Sequence, residues 1–97
     1  MKDHNYYVYI LTNPRKTVLY VGVTNNLLIR LNQHKENRGK PETFAGKYYC
    51  YKLFYWENYK YVRDAIAREK ELKLFNRDSK IELIKTINPS LDFIKFD

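Results

Sequence analysis

Little in this chain of 97 residues lends itself to covalent or metal cross-linking: Cys50 is the only cysteine. That excludes an internal disulfide and any multi-cysteine zinc site, and it fits a reducing compartment. No apolar run approaches the roughly 18 residues of a membrane span, and Met1-Lys2-Asp3-His4-Asn5 is followed by no apolar signal-peptide core. These absences place the expected protein in the cytoplasm. No internal repeat, linker or low-complexity tract divides the sequence, so residues 1–97 read as one domain.

What the chain has is positive charge and tyrosine. Lys and Arg number 18 against 11 Asp and Glu, a net charge of +7, which attracts polyanions, phosphate backbones above all. The 10 tyrosines suit half-buried strand positions, and near a basic surface they also suit contact with bases and phosphates.

From Tyr6 to Thr12 the residues favour a strand; Asn13-Pro14-Arg15-Lys16 supplies turn chemistry, and Thr17 to Thr24 resumes the strand pattern. A hairpin with Pro14 and Arg15 at its tip pairs Val8 with Val21, Ile10 with Leu19 and Tyr9 with Tyr20. Aliphatic side chains then share one face and both phenols the other. Thr24 or Asn25 caps a helix that carries Leu27, Leu28 and Leu31 at helical spacing to about Asn37, and Arg30 and His34 project from one side of it. Glu42 to Lys47 reads as a loop, and Tyr49 to Glu57 as a third strand.

A second helix, Val62 to Phe75, sets Val62, Ala65, Ile66 and Leu72 on one stripe with Phe75 on its flank. Glu69 falls inside that stripe. A carboxylate on an inward face is costly unless it is paired or bound to a cation; Lys73 at i+4, Arg30 across the core and a metal ion are the open partners. A third helix, Ser79 to Ile87, starts from Asp78 or Ser79 and carries Ile81, Leu83, Ile84 and Ile87; the tail Leu91 to Phe96 packs back onto the domain. The expected class is α+β, a three-stranded antiparallel sheet flanked by about three helices.

Cutting a phosphodiester needs a deprotonated nucleophile, neutralisation of charge in the transition state and help for the leaving oxygen. Tyrosine or histidine serves the first need, a bidentate arginine the second and a carboxylate-bound divalent ion the third. Tyr9, Tyr20, Arg30, His34 and Glu69 are the candidates. The competing readings are ordinary strand tyrosines, a surface pair between Arg30 and Glu36, and a solvated helix-end His34. One carboxylate implies a single hydrated Mg²⁺-like ion rather than a two-metal clamp.

Tyr7-Val8-Tyr9, then Tyr20-Val21-Gly22 with Asn25, Asn26 and Leu27 leading to Arg30, Leu31 and His34, and a distant Glu69 within Ala65-Ile66-Ala67-Arg68-Glu69, together resemble the GIY-YIG nuclease superfamily. The likeness is to its small single-domain bacterial members and runs from Tyr7 through Asn88-Pro89. It implies hydrolysis of DNA with one divalent ion, Mg²⁺ or Mn²⁺. Tyr9 and Tyr20 become the motif phenols, one of them a base or water positioner; Arg30 binds the scissile phosphate, His34 assists phosphate binding or proton transfer, and Glu69 ligates the metal. Gly22 matches the motif glycine, where backbone and substrate approach closely, and Asn88 the family's late asparagine. Lys35 and Lys47 add nucleic-acid contacts.

The chain departs from the pattern at Tyr7 and Val8, which replace the first glycine and isoleucine, and at Val23, where repair relatives often carry lysine. No DNA-reading domain is attached, which suggests selection of DNA structure over sequence or a partner protein that supplies specificity. A monomer is expected, with a weak dimer as the alternative. The alternatives are a non-catalytic nucleic-acid-binding module and a basic domain for an acidic protein partner.

Overall fold

A computed structural model describes residues 5–96; positions 1–4 and 97, the ends of the expected domain, lie outside the described residues. Strands β1 (Tyr6–Thr12), β2 (Leu19–Thr24) and β3 (Lys52–Tyr59) form one antiparallel sheet in the order β2-β1-β3. The helices are α1 (Leu27–Glu36), α2 (Phe44–Lys47), α3 (Val62–Leu74) and α4 (Arg77–Lys85). The α+β class and the three-stranded sheet stand as expected.

The hairpin register differs from the expected one. Tyr9 pairs with Gly22, Val8 with Val23, Ile10 with Val21 and Leu11 with Tyr20. The reason lies in Asn13, whose Oδ1 accepts from the backbone N–H groups of Thr17 at 2.8 Å and Val18 at 3.0 Å. This side chain organises a longer loop than the two-residue turn assumed from Pro14 and Arg15. Arg77, at the start of α4, fastens the same loop by donating to the carbonyl oxygens of Lys16 at 3.0 Å and Thr17 at 2.9 Å. The slip is two residues, so each side chain keeps its expected face.

One face carries Val8, Ile10, Val21 and Tyr55 into a core closed by Ala65, Leu72 and Ile84 from α3 and α4. The other carries Tyr9, Leu11 and Leu53 against Leu27, Ala45 and Cys50. Between β1 and β3 a bulge at Ile10/Leu11 leaves Phe54 without a partner of its own in the ladder, and both Phe54 and Tyr55 are buried.

Local chemistry moves several element boundaries. Asn26, rather than Thr24 or Asn25, caps α1, its Oδ1 accepting from Ile29 N–H at 3.0 Å, and Leu28 is exposed. The expected loop at Glu42 to Lys47 contains α2, where Thr43 Oγ1 accepts from Gly46 N–H at 3.0 Å. The third strand starts at Lys52 instead of Tyr49, because Tyr49 adopts a left-handed φ of 58° and Cys50 N–H donates to Ala45 O at 2.8 Å.

On α3 the inward stripe is narrower than expected: Ala65 and Leu72 are buried, while Val62 and Ile66 are exposed. Arg68 leans over the sheet instead, pairing with Glu57 at 3.0 Å and Glu71 at 2.5 Å. Glu57 also accepts from the hydroxyls of Tyr55 and Tyr59. Asn76, not Asp78 or Ser79, caps α4 through Ser79 N–H at 2.8 Å, and Ile87 stands exposed beyond its end.

The tail packs back as expected. Ile94 N–H donates to Leu53 O at 2.8 Å, and the Phe96 ring meets Trp56 edge-on at 5.2 Å. Among the described residues, no helix is long and apolar enough to cross a membrane.

Candidate nuclease site

Four of the expected site residues converge on the α1 side of the sheet. Tyr9 comes from the central strand and Tyr20 from the edge strand, with their rings 6.4 Å apart. His34, one turn after Arg30 on α1, is held between them: its ring lies 5.8 Å from that of Tyr9 and 5.5 Å from that of Tyr20. Tyr9 Oη and His34 Nε2 share a hydrogen bond of 2.9 Å. His34 is therefore a buried, partnered imidazole and not a solvated helix-end residue.

Arg30 does not pair with Glu36. Its guanidinium donates to Gln33 Oε1 at 3.1 Å, and the nearby Tyr9 hydroxyl is the main cause of its raised pKa. Tyr20, Arg30, Gln33 and His34 line a small cavity of about 100 Å³. A larger open cleft of about 610 Å³ continues from Arg30 and Gln33 over Thr24, Asn25 and Asn26. Sequence pattern gave no sign of Gln33. An i+3 spacing from Arg30 was the signal available.

Burial distinguishes the two phenols. Tyr9 has 0% of its surface exposed, and burial pushes its hydroxyl up to about 12, with the Arg30 guanidinium pulling the other way. Tyr20 is half-buried and faces the cavity. His34 is held down to about 4, first by burial and then by the Arg30 charge, so its imidazole is neutral at physiological pH.

Gly22 is buried against Tyr9. A Cβ built on it would stand 2.4 Å from both Cζ and the hydroxyl oxygen of Tyr9. A close approach is thus made at this glycine by the tyrosine ring.

Glu69 approaches from α3, the helix on the opposite face of the sheet. Its side chain is 17% exposed, and its carboxylate pairs with Lys73 Nζ at 3.1 Å, the i+4 alternative rather than the pair with Arg30. Its negative charge still bears on Tyr9, adding to the upward shift of that hydroxyl. Among the described residues, no three His, Cys, Asp or Glu side chains cluster to cage a metal ion. A lone carboxylate suits a hydrated Mg²⁺-type ion that completes its shell with water and substrate phosphate.

Asn88 stands apart from this group. It is buried at the start of the tail, its amide donating to Phe54 O at 3.1 Å and Asp92 O at 2.8 Å while its Oδ1 accepts from Asp92 N–H at 3.0 Å. With its polar atoms engaged inside the protein, it anchors the tail. Lys35 and Lys47 are exposed on α1 and α2, and Lys47 lies over the Tyr48 ring at 5.4 Å.

Sheet, helices and a centre built from phenols, a guanidinium and an imidazole define a small α+β domain of nuclease type. Residues 5–82 match the GIY-YIG catalytic domain, and the chain belongs to this nuclease family. It is 33% identical over 92 residues to a UPF0213 protein of Pediococcus pentosaceus, covering 95% of this chain and 94% of that protein. A UPF0213 protein of Clostridium perfringens is 36% identical over 80 residues, covering 82% of this chain and 83% of that one. The solution NMR structure of the UPF0213 protein BH0048 from Bacillus halodurans superposes with a TM-score of 0.55 at 25% identity, over 87% of this chain and 86% of that one.

Proposed function

We propose that this chain is a single-domain, divalent-metal-dependent endonuclease that hydrolyses phosphodiester bonds in DNA, selecting DNA structure rather than sequence. The observation that carries the reading is the placement of Arg30 with Tyr20 and His34 in one small cavity, where that cavity meets a larger open cleft. In the family to which the chain belongs, this is the position of the phosphate clamp. A guanidinium binds phosphate oxygens bidentately and offsets the charge that grows on them as the nucleophile adds.

Tyr20 is the phenol that meets water and substrate, because it lines the cavity with Arg30. It orients the attacking water, whose proton passes to the surrounding solvent as the new bond to phosphorus forms and the bond to the leaving oxygen breaks. Tyr9, fully buried and with a hydroxyl reluctant to ionise, is a positioning residue that holds His34 and Arg30 in place. His34, neutral at physiological pH and too weak a base there to hold a proton, assists by fixing the Tyr9 hydroxyl at the site. Glu69 would hold the Mg²⁺ or Mn²⁺ ion, with Lys73 yielding its ion pair. The bound ion would supply electrostatic stabilisation of the leaving oxygen.

Exposed Lys35 and Lys47 are proposed to contact the nucleic-acid backbone, consistent with the +7 net charge. A monomer acting in the cytoplasm, with any sequence preference supplied by a partner protein, completes the proposal; the single free Cys50 supports a reducing setting.

The test is cleavage of nicked, branched and flapped DNA with Mg²⁺ and with Mn²⁺. Glu69→Ala is expected to abolish cutting while DNA binding persists, and Tyr20→Phe to slow cutting by about 100-fold or more. Wild-type protein inert on all these substrates with both ions would overturn the proposal.

A further inference from the structure

We infer that Phe44 and Tyr48 form a stacking platform for an unpaired nucleobase next to the phosphate held at Arg30, so that the preferred substrate carries a single-stranded segment at the cut. This rests on the nuclease reading for its phosphate site. The rings themselves are independent of it.

The aromatic series begins inside the site and ends in solvent. Tyr20, in the cavity with Arg30, stacks on Phe44 with centroids 6.2 Å apart and planes at 22°. Phe44 in turn meets Tyr48 at 4.7 Å. Both outer rings keep much of their surface in water, Phe44 52% and Tyr48 41%. Exposing a phenylalanine forgoes the gain of burying it, and α2 holds this one outward while its neighbours Ala45 and Gly46 are buried.

The surroundings match a nucleic-acid strand. Lys47 lies over Tyr48, and a cleft of about 270 Å³ beside the platform brings Arg15 to Tyr48 and Tyr49. Cations flanking exposed rings are the arrangement that single strands require: backbone charge is met by Lys and Arg, and base faces by aromatics. A base inside a duplex is already covered on both faces by its neighbours. Only an unpaired one has a face to offer Phe44.

The platform is tested by fluorescence anisotropy in EDTA, so that no strand is cut. The probes are a short fluorescein-labelled oligothymidylate, the same backbone made abasic, and a blunt duplex. Phe44→Ala and the double variant Phe44→Ala/Tyr48→Ala are expected to weaken oligothymidylate binding about tenfold or more, with binding of the abasic strand and the duplex changed less than twofold. Phe44→Trp restores or tightens it, and its fluorescence is quenched on binding. Phe44→Leu, apolar but without a stacking face, guards against a folding artefact and is expected to resemble alanine.

Oligothymidylate affinity that stays within twofold in all these variants would overturn the inference, as would an equal loss on all three probes. Self-association of wild-type protein that disappears in Phe44→Ala, seen by sedimentation, would assign the platform to a second copy and also overturn it. Cleavage by the wild-type protein with Mg²⁺ is assayed separately. Activity with an unaltered stacking response sinks this inference alone, whereas inactivity with the expected response sinks only the nuclease reading.

Discussion

Gly22 and Tyr9 face each other across the central strand pair, and the tyrosine ring occupies the space in which any other residue at position 22 would place its side chain. The backbone at Gly22 does not have the positive φ that favours glycine. Space, rather than conformation, demands glycine there. The hydroxyl of the same ring is hydrogen-bonded to His34, so the room left at Gly22 sets where that helix residue sits.

Gly22→Ala should therefore damage the site through Tyr9. The added methyl must displace a fully buried ring, an overpacking that costs about 1–3 kcal/mol. Urea unfolding is expected to show that loss. Cleavage at a temperature where the variant is still folded should fall with it, and an unchanged midpoint together with full activity would contradict the account.

His34 gives the fold a pH dependence of definite sign. Its folded-state pKa of about 4 lies below the ordinary 6.5, because burial and the neighbouring Arg30 disfavour the imidazolium. Between these two values the unfolded chain binds more protons than the native one. Stability is thus fully present above about pH 6.5 and is lost as the pH falls towards 4. This single group contributes up to roughly 3 kcal/mol of that loss. Carboxylates such as Glu57 also weaken the fold in acid, so the measurement is a difference: unfolding free energies at pH 7 and pH 5 for wild type and His34→Gln. The pH effect should be smaller in the variant, and identical slopes would exclude His34 as its source.

Arg68 and Glu57 make a second polar centre that holds α3 to β3 and takes no part in the proposed chemistry. The hydroxyls of Tyr55 and Tyr59 complete the shell of the Glu57 carboxylate, and Arg68 makes its charge tolerable in a largely buried place. Hydrogen bonds from Arg68, Tyr55 and Tyr59 outweigh burial and keep the Glu57 pKa below the usual carboxylate value. Arg68→Ala leaves that charge unpaired and is expected to destabilise the protein by about 2–4 kcal/mol, with Glu57→Gln in the same chain recovering part of the loss. Chemical denaturation of the two variants checks this, and an Arg68→Ala protein as stable as wild type would show that the pair carries no weight.

The sheet and its two faces were legible because alternation in a strand has a period of two, which survives a register error of two residues. Val8 and Ile10 therefore reached one core and Tyr9 and Tyr20 the other side, even though the expected partners of all four were wrong. Arg30 and His34 were legible as a same-side pair because an i+4 spacing is a local property of any helix.

What the sequence determined by itself was whatever depends on neighbours along the chain: strand faces, the courses of α1 and α3, the basic charge and the grouping of motif residues. Only the tertiary structure decided the rest. Arg77 fastens the hairpin loop from far along the sequence, Asn88 proved to be an anchor for the tail, and Arg68 found Glu57. Burial sealed Tyr9 away while leaving Tyr20 at the cavity. Each outcome depends on which groups lose their water and what replaces it, and a linear pattern does not carry that information.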